Sequence, residues 1–363
     1  MLVYPINNRS KEAFSHNGKE CSYNRGRTEW SGAGIFSSKK NINATILEAS
    51  DRLGGRIHTI TGTLETPLEL GATWFSDVHS NLLELMDELG LAKYPQHSEG
   101  VSLFQTKSFE PPQEFFVPGA TSPSYRIAGG TQMLIEALAQ QLNPENSHFN
   151  KKVTAIDQTA NTIVVTTIDG SFETDHVVIC IPPQLAAAAI RFSPGLPDSV
   201  AQVLPTVQTW MAGALKFTLE YAEPFWRNKG YSGMLYSHAG IVTEMYDHTN
   251  FSGERYGFTG FLNSGAASYS QDIRKELVLQ QLSELLGLEM AIPVSYFDKV
   301  WNDEFIIEGD PVILRPHQNN GHPVFLESYM NDRLYFCSTE TASAFPGYME
   351  GAVIAAKSVA GKL

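Results

Sequence analysis

The chain has 363 residues, 42% of them hydrophobic and 18% charged, which excludes a disordered protein and leaves room for a large core and two domains. A formal net charge of −13 disfavours nucleic acid and anionic membrane as partners, and mildly favours a cationic small molecule. No apolar run approaches the roughly 18 residues that a membrane span requires. The opening "MLVYPINNRSKEAF" lacks a charged leader with a long apolar core, and the end "SVAGKL" is no tail anchor. The expectation is a cytoplasmic protein without a membrane anchor.

In chain order, residues 1–31 are polar and free of pattern. Next comes "EWSGAGIFSSKKNINATILEAS", in which Gly32 and Gly34 form a Gly-x-Gly turn and "ATILEA" ends in Glu48, the type of carboxylate that grips a ribose after a dinucleotide-binding loop. The third glycine is missing, since Ser37 stands in its place, and only nine residues separate Gly34 from Ala44. As helix they would span about 13 Å, whereas the return path along a parallel strand of five or six residues needs roughly 18 Å. The preceding "GRTEW" does not read as a buried first strand either. Alone, such a segment is more often an ordinary turn than a nucleotide loop. In "EASDRLGGRIHT", Gly54 and Gly55 permit close backbone approach and Arg52 and Arg56 flank them, so that a diphosphate could be clamped by fork donors and exposed amides. A solvated turn is the plain alternative.

A helix is predicted over Ser80–Leu89 from Leu82, Leu83, Leu85 and Met86 on one side, closed by Gly90. "AGGTQMLIEALAQQL" reads as a glycine turn opening an amphipathic helix, and "KKVTAID" and "TIVVTTIDG" as strands, the latter entering a hairpin around Asp169-Gly170. "HVVICIPP" is apolar on both faces, as a central strand is. Further strands are predicted in "MAGALKFTLEY" and "ERYGFTGFLNSG", a helix in "RKELVLQQLSELLG", and a strand, loop and small-residue helix in "DRLYFCSTETASAFPGYMEGAVIAAKSVAG". Lys216 in the "GALKF" run is costly to bury unpaired, so it reaches the surface or serves a site. Cys21, Cys180 and Cys337 lack metal spacing and are expected to be reduced and structural. Alternating strands and helices interrupted by an α+β region predict an α/β nucleotide domain with an inserted second domain.

Six blocks, "LEASDRLGGRIHT", "ELGATWF", "RIAGGTQML", "VVICIPP", "ALKFTLEYAEPFW" and "FCSTETASAFPGYMEGAV", resemble successive landmarks of the FAD-dependent amine oxidases, the monoamine oxidase superfamily. The resemblance runs in order from Gly32 to Leu363 and omits residues 1–31. It implies an α/β fold in which a Rossmann-like FAD-binding domain of the amine oxidase (GR2) type, at 32–79, 124–208 and 310–363, is interleaved with an α+β substrate-binding domain at 80–123 and 209–309. By the same resemblance Gly32 and Gly34 belong to the dinucleotide loop, Glu48 holds the adenosine ribose, and Gly54, Gly55 and Arg56, with Arg52 beside them, hold the diphosphate. Gly71, Ala72, Thr73 and Trp74 would line the flavin ring, and Val153 would meet the adenine through its backbone. Glu340 would contact the ribityl or diphosphate region, and the amide of Met349 would face the flavin O2 from a helix N-terminus, where developing negative charge is stabilised.

Lys216 matches the family's lysine that bonds through water to flavin N5, Tyr348 the ring that guides the amine, and Trp301 a pocket position. The implied reaction is hydride transfer from a small-molecule amine to FAD, with oxygen or another acceptor reoxidising the flavin and oligomerisation possible. The block "EGDPVILRPHQNNGHP" carries neither the family's second aromatic near Val312 nor a cysteine, so the flavin is expected to be non-covalent. A flavin desaturase or porphyrinogen-type oxidase, and a degenerate chain that holds FAD weakly, are the competing readings.

Overall fold

A computed structural model describes residues 2–7 by their backbone, 43–117, 123–302 and 317–363. Gly32, Gly34, Cys21 and the block around Val312 lie outside the described residues.

Two sheets organise the chain. The first has the order Ser147–His148, Ile46–Glu48, Leu2–Asn7, His176–Ile179, Leu334–Phe336, with Asn43–Ala44 paired to Leu2–Asn7. The strand predicted in "HVVICIPP" lies inside this sheet, between Leu2–Asn7 and Leu334–Phe336: Val177, Val178 and Ile179 are fully buried because apolar layers cover both faces. The small-residue helix Met349–Ala360 covers one face through Ala355, Ala356 and Val359, and Leu185, Ala186 and Val200 lie in the cluster on the other.

This sheet departs from the expected pattern in two ways. The head of the chain is not featureless, because Leu2–Asn7 is a strand within the sheet. It is also antiparallel to both neighbours, pairing Leu2 with Glu48 and Val3 with Ile179, whereas Leu334–Phe336 is parallel to His176–Ile179. A Gly-x-Gly loop follows the first strand of a dinucleotide fold at the carboxyl ends of the parallel strands. Here the strand leaves the sheet at Asn7, opposite Asn43 and so at the far end from Glu48. That the head supplies a strand has a sequence reason, since its longest apolar run is "LVYPI".

The second sheet has seven strands in the order Ser295–Val300, Leu215–Tyr221, Tyr256–Leu262, Val242–Asp247, Tyr231–Ser237, Val101–Gln105, Gln113–Phe116. Period-2 alternation sends Leu215, Phe217, Leu219, Leu235, Met245 and Phe258 into one core, with the helix Gln271–Leu286 contributing Val278, Leu282 and Leu286. That helix starts three residues earlier than expected, because the Ser270 hydroxyl caps its first turn by accepting from Ile273 N. The opposite sheet face carries Lys216.

The expected helix after "HSNL" forms over Ser80–Glu88, burying Leu82, Leu85 and Met86, and Gly90 ends it at φ +68°. The one after "AGGT" is shorter than its pattern, Gln132–Ala139. Val153–Gln158, Ile163–Thr167 and Gly170–Thr174 form the expected meander, with Arg191–Ser193 added in parallel to Val153–Gln158. No helix among the described residues is long and apolar enough to cross a membrane.

Candidate active site

The strand Pro67–Glu69 runs into the segment Leu70–Phe75, which crosses beneath the second sheet. Gly71 is required there because a Cβ would stand 2.3 Å from the Arg56 carbonyl oxygen and 2.5 Å from His58 N. That approach lets Ala72 N bond Arg56 O at 3.0 Å, locking the two segments side by side. Trp74 is fixed by its Nε1, which donates to Gln96 Oε1 at 2.8 Å.

Lys216 descends onto this segment from the strand Leu215–Tyr221. Its side chain is buried, with Nζ donating to Gly71 O at 2.8 Å and to Thr73 Oγ1 at 2.5 Å, 4.8 Å from the Trp74 ring centroid and 5.6 Å from that of Phe261. Burial lowers its pKa to about 7, with Arg126 acting in the same direction and the buried carboxylate of Glu69 opposing them. An ammonium has three donors, so one remains beyond the two described acceptors. Lys216 is therefore buried and paired with the Gly71 segment, and does not reach the surface.

Arg56 and Glu340, assigned separately to the diphosphate and ribityl regions, are brought together. The guanidinium grips the carboxylate at both nitrogens, Nη1 to Oε1 at 2.6 Å and Nη2 to Oε2 at 3.0 Å. Glu340 is wholly buried while the Arg56 side chain keeps 26% of its exposure. The Arg52 Nη1 donates to Ile57 O at 2.9 Å and its Nη2 to Gly55 O at 2.7 Å, so it braces the turn through Gly54 and Gly55. Glu48 ends its strand nearly buried, with Oε1 accepting from Ser50 N and Oγ, both at 2.8 Å. Its carbonyl accepts from Lys151 N at 2.8 Å, which brings buried Val153 alongside.

Met349 opens the 12-residue helix Met349–Ala360, and its N-cap Tyr348 makes no side-chain cap bond, so the first amides present a positive helix end. Gly351 lets the Phe345 carbonyl pack against this turn, where a Cβ would come within 2.2 Å of it. Tyr348 is 42% exposed. It lies parallel to His317 with centroids 6.2 Å apart, and Trp210 stacks on His317 at 4.5 Å. These two rings are aromatic neighbours of Tyr348 that the sequence reading did not find, because a lone tryptophan and a histidine in loops carry no periodicity. Trp301 is buried with Nε1 donating to Leu70 O at 2.7 Å, and Lys299 Nζ lies 4.6 Å from its centroid. It anchors the Gly71 segment.

Glu350 was also missed. Its buried carboxylate accepts from Asn81 N at 3.1 Å and Leu82 N at 2.7 Å, so one helix supplies the cap that the first turn of Ser80–Glu88 lacks.

The flavin containing amine oxidoreductase family matches residues 38–111 and 100–363. The chain belongs to that family. It is 25% identical to a probable flavin-containing monoamine oxidase A of Dictyostelium discoideum over 87% of this chain and 91% of that protein. It is 32% identical to the human amine oxidase [flavin-containing] B over 65% of this chain, the match spanning 46% of that relative's length. Among solved structures, a putrescine oxidase redesigned at its cofactor site superposes with a TM-score of 0.76 at 20% identity, covering 91% of this chain and 95% of that one. Cyclohexylamine oxidase from Brevibacterium oxydans IH-35A gives 0.74 at 19% identity, covering 87% and 92%. At those identities the likeness fixes the fold, an α/β amine oxidase architecture with a Rossmann-like FAD region and a substrate region.

FAD is the family's cofactor, and the described residues fit it at the flavin end. The buried lysine with a donor to spare, the uncapped helix N-terminus at Met349 and the side-chain-free approach at Gly71 suit a flat ring that gains negative charge when reduced.

Proposed function

We propose that this chain oxidises a small amine, using FAD held without a covalent bond and oxygen as the final acceptor. The observation that carries the reading is Lys216, buried with two of its three donors fixed on Gly71 and Thr73. The flavin supplies the two-electron acceptor; the residues of the chain bind, orient and exclude water. Lys216 holds a water with its remaining donor and, with a pKa lowered to about 7, exchanges a proton near neutrality. Tyr348 presents an electron-rich face to the amine nitrogen. The Met349 amide and the helix behind it stabilise charge on the ring edge. Glu48 and Val153 take the adenosine end, while Arg56 and Glu340 face the pyrophosphate. Trp301 and Arg52 keep the loops around the site in shape. In overall balance an amine, oxygen and water give an aldehyde, ammonia and hydrogen peroxide.

The absence of cysteine between Trp301 and Phe336 supports the non-covalent assignment. The interleaved division, residues 32–79, 124–208 and 310–363 for FAD and 80–123 and 209–309 for substrate, is part of this proposal. So is a cytoplasmic location. A visible spectrum of the purified protein, followed by peroxide measurement on adding amines, tests the reading. Flavin absorbance with amine-dependent peroxide supports it, and flavin that no amine bleaches without oxygen overturns it. A second reading, a chain that folds yet holds FAD weakly, is favoured by the reversed strand Leu2–Asn7.

A further inference from the structure

Cys180 and Cys337 each stand one residue beyond a strand of the six-stranded sheet. His176–Ile179 and Leu334–Phe336 run parallel with Ile179 opposite Phe336, and Cys337 N donates to Ile179 O at 2.7 Å. The ladder therefore carries one step further and sets the two cysteines side by side. Parallel neighbours in register send their side chains to the same face, and strand spacing puts their Cα atoms roughly 4.8 Å apart, inside the roughly 4.4–6.8 Å that a disulfide spans. Both thiols are free. The face they share is the one beneath the helix Met349–Ala360: Cys337 is buried with Ala342, Ala355 and Ala356, whereas Cys180 packs against that cluster and stays partly exposed. The Cys180 thiol donates to Val178 O at 4.0 Å. The Cys337 thiol against it, with burial adding to the effect, pushes the Cys180 thiol up.

Two thiols in register, one reachable from solvent and one behind it, are the arrangement in which an oxidised first sulfur is resolved by a second. We propose that Cys180 and Cys337 form an oxidative modification site that hydrogen peroxide closes to a disulfide. The Cys180 sulfur, as thiolate, attacks one peroxide oxygen; the O–O bond breaks, hydroxide leaves with the proton that the thiol released, and a sulfenic acid forms. The Cys337 sulfur then attacks the Cys180 sulfur, the S–O bond breaks, and the Cys337 proton leaves with the hydroxyl as water. In sum two thiols and one peroxide give one disulfide and two waters. Because the Cys180 thiol is held protonated, its thiolate is scarce and closure is slow, so the site answers sustained turnover and not a single cycle. The source of peroxide is the amine oxidation of the proposed function, and this part of the inference rests on that reading. The link joins the two strand ends immediately before Ser338–Glu340, where Arg56 grips Glu340, so the product of the reaction marks the sheet that carries the cofactor's anchoring end.

The test uses the full chain with the FAD it carries, and Cys21→Ser to keep the third cysteine out of the exchange. Hydrogen peroxide is added without amine, free thiols are alkylated at intervals, and the digest is read by mass spectrometry. The expected product is a peptide linking Cys180 to Cys337 that dithiothreitol separates. Cys180→Ala should slow the loss of the Cys337 thiol at least about tenfold, since the buried sulfur then has no oxidised neighbour to attack. Thiols that stay open to alkylation, or that oxidise independently of each other without a linked peptide, overturn the proposal. If Cys180→Ala does not fold, the presence or absence of the linked peptide decides alone. A second arm replaces added peroxide by amine and oxygen, with and without catalase. Closure that catalase prevents supports supply by the chain's own product. Closure by added peroxide but by no amine would sink the oxidase reading and leave the thiol pair standing.

Discussion

The two sheets differ in how regularly their strands run. The seven-stranded sheet is regular, its Lys216 face is set by register, and the residues beneath it are locked by backbone approach at Gly71. The six-stranded sheet ends one strand in the buried Glu48, and its strand Leu2–Asn7 runs against its neighbours and leaves at the opposite end. On the proposed reading, the face that oxidises the amine and the end that anchors FAD depend on different strands, so one can be regular while the other is not.

Four experiments would break or sharpen that contrast. The largest effect is expected from Arg56→Ala, which strands a fully buried carboxylate at Glu340; breaking such a pair costs about 3 kcal/mol, measurable as a lower urea midpoint at unchanged slope. An unchanged midpoint would mean that the pair contributes nothing net to stability. Lys216→Met should slow flavin reoxidation by oxygen about a hundredfold, as a positioned proton-transfer group contributes, with little change in amine affinity; stopped-flow traces read both. The same variant tests the charge. With a folded pKa lowered to about 7 against an ordinary value near 10.4, the unfolded chain binds more protons between these limits, so native stability gains from Lys216 as pH rises from about 7 to about 10. Lys216→Met should flatten that rise in a series of melting temperatures.

The third experiment concerns the anchoring end. Replacing residues 1–42 by a regular strand, Gly-x-Gly-x-x-Gly and helix should tighten FAD at least tenfold, about 1.4 kcal/mol. Equal affinity before and after would remove the reversed strand as a defect. The smallest effect is Glu350→Ala, which withdraws the cap from Ser80–Glu88 and should cost about 1 kcal/mol without altering the flavin spectrum.

Much of the fold was legible in the sequence. "HVVICIPP" is apolar on both faces and lies inside its sheet with both faces covered, and the hairpin around Asp169-Gly170 follows from alternation and turn chemistry. The head of the chain misled because five apolar residues are too few to announce a strand, and the direction of pairing leaves no mark on composition. At the site, Lys216 could be singled out since a lysine in an apolar strand is anomalous. The bonds that Arg52 makes to Ile57 O and Gly55 O could not be read from its place beside two glycines.

The clasp between the helices Ser80–Glu88 and Met349–Ala360 has a mechanical meaning. Glu350 caps one helix from within the other, and Lys357 Nζ adds a bond to Asn81 Oδ1 at 2.9 Å and an ion pair with Glu84. The two helices belong to segments that the proposal assigns to different domains, so the clasp adds to the bonds that Lys216 and Trp301 make across the same division. Any movement that parts the two segments has to break this clasp first.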